Sequence, residues 1–193
     1  MSFWDEERVQ FYIDTWGPPT NPTKWHGLDR MEMPVNLLKG KTVLDVGCGL
    51  GHLYYALKGK VTTYVGVDAS PHMLQKAREY FPEADFRQAD ANDLSALPMV
   101  DTVYSISLLI HLMSVEEPIG QLWSRAKSRC VFLIPLGRRE KTERPEPGLI
   151  YHQIPFETLN NILDSLSHVK KIEKIHWSKN HHFVVLDRDT FTQ

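Results

Sequence analysis

Apolar positions change their spacing along this chain, and the changes divide it into alternating elements. Val9, Tyr12, Ile13 and Trp16 recur at the three-and-four spacing of a helix face, and Gly17-Pro18-Pro19 stops it. From residue 42 onward, short apolar runs of strand length alternate with helical stretches. Residues 42–46 and 63–67 predict strands, followed by helices near 51–57 and over 71–80. Ser70 is placed to cap the second helix, and Pro71 takes its first position, where a missing N–H is harmless. A short strand is expected at 85–88, then a strand at 100–106, a helix near 118–126 and a strand at 130–135. Residues 137–148 are charged and proline-bearing and read as a long loop. A helix at 156–166 and two closing strands, 169–175 and 182–186, finish the pattern. Strands separated by helices predict an α/β fold with a doubly wound, mostly parallel, Rossmann-like sheet.

Composition narrows the class. At 193 residues and 42% apolar, the chain suits one domain with a substantial core. A formal charge of −2 describes no polycation and argues against nucleic acid as a partner, a local patch aside. The two cysteines, Cys48 and Cys130, sit where reduced thiols of a cytoplasmic protein are expected, not a disulfide framework. The start, Met1-Ser2-Phe3-Trp4-Asp5-Glu6-Glu7, is acidic and aromatic, so no signal peptide is expected. No apolar run approaches the roughly 20 residues of a membrane span, so no membrane partner is expected. Oligomeric state is not written in the chain.

Val43 to Gly51 carries the first candidate chemistry. An apolar strand empties into Gly47, Gly49 and Gly51 at alternate positions, and a helical segment follows at once. Glycine lets the backbone turn sharply and lets a ligand approach without a Cβ in the way. N–H groups at such a helix start suit an anionic or polar ligand. The spacing is G-x-G-x-G, not the G-x-G-x-x-G of dinucleotide folds, and points to a carboxylate-bearing nucleoside over a pyrophosphate.

Four stations in order then resemble the class I S-adenosylmethionine-dependent methyltransferases, over roughly residues 40–187. The run from Val43 to Gly51 resembles the family's first motif, with Asp45 two positions before the first glycine. The resemblance implies that Asp45, Gly47, Cys48, Gly49 and Gly51 meet the methionine end of S-adenosylmethionine as cofactor. Val65-Gly66-Val67-Asp68-Ala69-Ser70 resembles the second motif. Asp68 would grip both ribose hydroxyls, since a carboxylate accepts two protons in bidentate fashion, with Ala69 and Met73 beside it. Gln88-Ala89-Asp90-Ala91 resembles the adenine station, Asp90 accepting from the exocyclic amine and the Ala91 N–H facing a ring nitrogen. The segment from Asp101 to Leu108 resembles the fourth-strand end beside the reacting methyl group, which brings in Ser105 and Ile106. The same resemblance implies a seven-stranded sheet of order 3-2-1-4-5-7-6 with its last strand pair antiparallel. It also implies an N-terminal helical and aromatic segment, 1–40, as candidate lid, and a cofactor-binding domain, 41–193. Cys48 reads as a small filler between glycines.

Transfer from a sulfonium needs alignment, plus a base where the nucleophile must lose a proton. Ser105-Ile106-Ser107-Leu108 is not the Asn-Pro-Pro-Tyr run of enzymes that methylate planar nitrogens. No cysteine is placed as a C5-pyrimidine nucleophile, the thiols for arsenite are missing, and Asp101 lies at the wrong end of its strand for a catechol enzyme's metal. His111, just after the fourth strand, and His152, beside Tyr151, are the candidate catalytic bases. His26, with Trp25 and Lys24, is a candidate lid residue. His181 and His182 point to opposite strand faces, and no metal site is expected. Arg138, Arg139, Lys141 and Arg144 form a basic stretch diluted by Glu140 and Glu143, either a solvated loop or an attractor for an acidic substrate.

The leading expectation is methyl transfer to an O, N or C atom of a small-molecule acceptor. The alternatives are a non-catalytic cofactor-binding regulator or partner subunit, a tRNA or protein methyltransferase, and, against the glycine spacing, an NAD-dependent oxidoreductase.

Overall fold

A computed structural model describes residues 4–25, 29–145 and 148–189. Helix α1 (Glu6–Trp16) begins on Asp5, whose side chain accepts from the Arg8 N–H, and ends on Gly17 at φ +85°. A second helix, α2 (Asp29–Asn36), was not expected: it is short, holds Pro34 within it, and its sequence shows no sustained apolar face.

The sheet follows the expected path. Strands β1 (Thr42–Val46), β2 (Thr63–Asp68), β3 (Asp85–Gln88), β4 (Val100–Ser105) and β5 (Ala126–Gly137) pair in parallel. They are joined by α3 (His52–Leu57), α4 (Pro71–Tyr80) and α5 (Glu116–Arg125). Two further strands, β6 (Lys141–Glu143) and β7 (Tyr151–Pro155), precede α6 (Phe156–Ser165). The closing strands β8 (Val169–Ser178) and β9 (His181–Arg188) are antiparallel, and β9 lies antiparallel beside β5. The order is therefore β3-β2-β1-β4-β5-β9-β8, the expected 3-2-1-4-5-7-6 with its antiparallel final pair.

The departure is at 137–148, expected as one loop. It contains β6, which pairs antiparallel with β7, and β7 attaches to the end of β5 through Leu136↔Ile154 and Gly137↔Pro155. β6 buries no side chain and is held by its backbone ladder, so no apolar alternation marks it. Similarly, β5 outruns its apolar core because its polar start, from Ala126 to Arg129, is paired to β4.

Both sheet faces are covered, which explains why the central strands read as continuous apolar runs. Leu44 and Val46 of β1 join a cluster with Ile119 and Leu122 of α5 and Leu159 and Leu163 of α6. Val43 faces the other way, with Leu53 and Leu57 of α3 and Leu74 and Ala77 of α4. A small third cluster, Val9, Leu50 and Met73, fastens α1 to the glycine loop and to α4. No helix among the described residues is long and apolar enough to cross a membrane.

Candidate functional site

The glycine loop joins the carboxyl ends of β1 and β2. Gly47, Gly49 and Gly51 take φ values of +78°, +50° and +86°, in the left-handed region open to glycine. The N–H groups of Gly47 and Cys48 donate to the Val67 carbonyl at 2.8 and 3.0 Å, tying the loop to β2. A Cβ on Gly47 would lie 2.7 Å from Leu108 Cβ, whereas one on Gly49 would meet nothing within 4 Å. The middle of the loop thus faces open space.

Asp68 closes this corner. One carboxylate oxygen accepts the Gly49 N–H at 3.0 Å and the other accepts the Ser70 N–H at 2.9 Å. Burial raises its pKa, and the N–H groups of Ser70, Gly49 and Ala69 oppose that rise. Asp45 is 2% exposed and accepts from the Tyr64 hydroxyl at 2.7 Å. Burial pushes its pKa up to about 7 against that hydrogen bond, and the charge of Asp68 adds to the rise. Cys48 is buried, and its thiol is pushed well up, first by burial and then by the two carboxylates, which makes it inert.

The other expected cofactor residues take different places. Ala69 offers its carbonyl to the Gln88 side chain, and Met73 is buried under α1. The Ala89 N–H donates to the Asp68 carbonyl and brings the end of β3 to the same corner. Asp90 is exposed and accepts from the backbone and side chain of Asn92, while Ala91 packs into the core. Ser105 is fully buried at the end of β4, its hydroxyl without a partner among the described residues, and Ile106 is buried beside it.

A further polar group converges here that no local spacing marks. Arg30 of α2 donates from Nη1 to Ser107 Oγ at 3.1 Å across 77 residues of sequence. Ser107 itself is left-handed at φ +71°. The Arg30 guanidinium lies 4.7 Å from the centre of the Trp16 ring; burial raises the pKa of Tyr12, and the Arg30 charge opposes that rise. Arg30 Nε is buried and has no partner among the described residues. His52 contacts the Gly17 carbonyl at 3.0 Å and stacks edge-on against Tyr12 and Trp25, and burial drives its pKa down to about 4. Trp25 donates to the Pro18 carbonyl and Lys24 lies in an adjoining turn; His26 lies outside the described residues.

The two candidate bases have separate partners. His111 Nδ1 lies 2.8 Å from the Ile150 carbonyl, which requires Nδ1 to carry the proton and leaves the Nε2 lone pair free. Its ring meets Tyr151 at 5.5 Å and Trp4 at 6.2 Å, and burial lowers its pKa. His152 is buried, 2.9 Å from Thr142 Oγ1 and 3.8 Å from a Glu140 oxygen. It borders a cavity of about 330 Å³ with Met113, Glu116, Thr158 and Asn161. His181 meets Trp177, and His182 meets His176 and Phe156.

Known proteins share this architecture. A methyltransferase-domain family profile matches residues 43–127. The tRNA U34 carboxymethyltransferase of Pseudoalteromonas translucida is 32% identical over 105 residues, covering 51% of this chain and 32% of that protein. Its counterpart from Aeromonas salmonicida is 35% identical over 111 residues, covering 54% and 33%. The chain thus spans about a third of the length of the curated relatives it matches. Magnesium protoporphyrin IX methyltransferase from Synechocystis PCC 6803 superposes with a TM-score of 0.67 at 18% identity, over 97% of this chain and 99% of that one. DesVI of Streptomyces venezuelae gives 0.71 at 13% identity, over 95% and 98%. At these identities the solved structures show a shared fold. The tRNA-modifying relatives overturn the expectation that a nucleic-acid partner is unlikely. That expectation rested on a net charge of −2, which averages over the whole surface and is blind to where the cations gather.

Proposed function

Starting from the class I S-adenosylmethionine-dependent methyltransferase family, to which this chain belongs, we propose that it is an enzyme transferring a methyl or carboxymethyl group to a tRNA-type RNA acceptor. S-adenosylmethionine or a close derivative is its cofactor and supplies an electrophilic carbon on a sulfonium. The observation that carries the cofactor half is a pair of buried polar atoms, Arg30 Nε and Ser105 Oγ, that have no partner among the described residues. Arg30 lies on Ser107, just past the end of β4, and Ser105 ends that strand. An unpartnered donor is costly in a buried place and marks where a ligand's polar group belongs.

The chain's own residues then have defined tasks. Open space above Gly49 admits the ligand, while Asp68 fixes the loop and offers its remaining lone pairs to hydroxyls. Arg30 supplies a fixed positive charge for a carboxylate. Tyr12, Trp16 and His52 roof this corner and exclude water; the last is neutral at physiological pH, so it adds no competing cation. His111, with Nδ1–H held by Ile150, presents Nε2 as the proton acceptor where the acceptor atom must be deprotonated. The acceptor half draws its support from the tRNA-modifying relatives.

The test is transfer of label from the cofactor to bulk tRNA, read in nuclease digests. The expected result is label on one modified nucleoside, lost in the Arg30→Met variant. Unlabelled tRNA alongside normal S-adenosylhomocysteine binding would overturn the acceptor and leave the cofactor site standing.

A further inference from the structure

One motif is not absorbed by that chemistry: the basic stretch at 138–144. We propose that Arg138, Arg139 and Lys179 form a rim that grips the phosphate backbone of the RNA acceptor, with Tyr151 as its base-stacking surface. The inference rests on the RNA reading above.

The three cations come from two turns that the sheet brings to one end. Arg138 and Arg139 leave the carboxyl end of β5, and Lys179 sits at the tip of the two-residue turn between β8 and β9. The turns are tied together. Leu136 N–H donates to the Asn180 carbonyl at 2.7 Å, Asn180 Nδ2 to Gln153 Oε1 at 2.6 Å, and Gln153 Nε2 to the Arg139 carbonyl at 2.9 Å. Gly137 leaves the space this bridge occupies, since a Cβ there would fall 2.1 Å from Gln153 Nε2.

Of the two acids in the stretch, one is paired. Glu143 pairs with Lys141 at 2.5 Å, and Glu140 faces His152 at 3.8 Å, while Arg138 and Arg139 are exposed and enter no ion pair among the described residues. Burial lowers the pKa of His181, and the positive charges of Arg30 and Lys179 both add to that lowering. Lys179 is held at φ +50°, where glycine or asparagine would fit with less strain, so its charge is kept at a conformational cost. Tyr151 is 39% exposed and stands beside His111. Cations that track a backbone next to an exposed aromatic face suit a single-stranded or looped RNA.

The test measures binding of a fluorescent RNA stem-loop across a salt series, with S-adenosylhomocysteine titration as a control for folding. Arg138→Glu with Arg139→Glu should weaken RNA binding at least tenfold and flatten the salt slope by about 1.4, near 0.7 for each lost contact. Lys179→Gly should weaken it severalfold while the thermal midpoint holds or rises. Gly137→Ala, which changes no charge, should weaken it by displacing Gln153. Tyr151→Ala should weaken it and Tyr151→Phe should not. Equal RNA affinity in wild type and all variants overturns the rim and leaves the RNA reading intact. A wild type that binds S-adenosylhomocysteine but no RNA at low salt overturns both.

Discussion

The glycine-loop corner and the hairpin corner occupy opposite parts of the same sheet edge, and they are built differently. At the first, β1, the loop, α3 and β2 form one continuous β-α-β unit. Its tying bonds, Gly47 to Val67 and Gly49 to Asp68, span about twenty residues of chain. At the second, Leu136, Arg139, Gln153 and Asn180 come from separate segments joined only by the fold. The first corner is specified by local backbone geometry, the second by topology and charge. Perturbing each should therefore fail in a different way.

The largest effect is expected from Gly47→Ala. The new Cβ would meet Leu108 Cβ at 2.7 Å, and the left-handed φ adds about 1–2 kcal/mol of strain. Both the thermal midpoint and S-adenosylhomocysteine affinity should fall. Gly49→Ala meets nothing within 4 Å among the described residues and should lose only about 1 kcal/mol of stability, yet it fills the space proposed for the ligand. Calorimetry on the two variants separates these effects. Normal cofactor affinity in Gly49→Ala would place the ligand elsewhere.

Next come two buried titrating groups at the glycine corner, whose effects oppose each other. Asp45 has a native pKa of about 7 against an ordinary 3.8, so the native state holds the extra proton between those values. Its contribution favours folding at low pH and is lost as pH rises toward 7. His52 has a native pKa of about 4 against 6.5, so the unfolded state holds the extra proton. Its contribution is absent at low pH and grows as pH rises from 4 to 6.5. Each shift corresponds to a few kcal/mol at about 1.4 kcal/mol per unit. In His52→Gln the midpoint should fall with pH across this window, and in Asp45→Asn it should rise. Parallel profiles in the two variants would refute the opposition.

Arg30→Met is expected to act on binding more than on stability. It removes a charged hydrogen-bonding group whose Nε has no partner among the described residues. S-adenosylhomocysteine affinity should drop about 10- to 100-fold, the worth of one charged hydrogen bond. A drop in the midpoint without a drop in affinity would make Arg30 a packing residue.

The same contrast explains what the sequence reveals. The strands β1, β2 and β3, helix α4 and the glycine loop are legible because each follows from adjacent residues: apolar runs, Ser70 capping Met73, glycines at φ above zero. Asp68 is legible for the same reason. Arg30 is not, because its partner Ser107 is 77 residues away and α2 shows no apolar stripe. Strand β6 escapes because it has no buried face, so its charged stretch reads as loop. Net charge is no ground for setting a nucleic-acid partner aside, because it cannot reveal that Lys179 and Arg139 share one edge. Where contacts cross the topology, pattern gives no warning.

The smallest effect should come from the hairpin's own ion pair. Lys141 and Glu143 remain 65% and 55% exposed while paired, a setting in which ion pairs contribute about 0–1 kcal/mol. The Arg129–Asp187 pair between β5 and β9, only 20% and 13% exposed, belongs to a different class: Asp187→Ala strands a half-buried guanidinium and should cost more. Glu143→Ala should leave the thermal midpoint within a degree or two. It also releases Lys141 from its counter-charge and raises the local positive charge by one. RNA affinity should therefore rise a few-fold and the salt slope steepen slightly, a gain of binding at nearly constant stability. Unchanged RNA affinity would mean that the hairpin meets no phosphate. A large fall in the midpoint would mean that this corner, like the glycine corner, is held by specific contacts and not by charge.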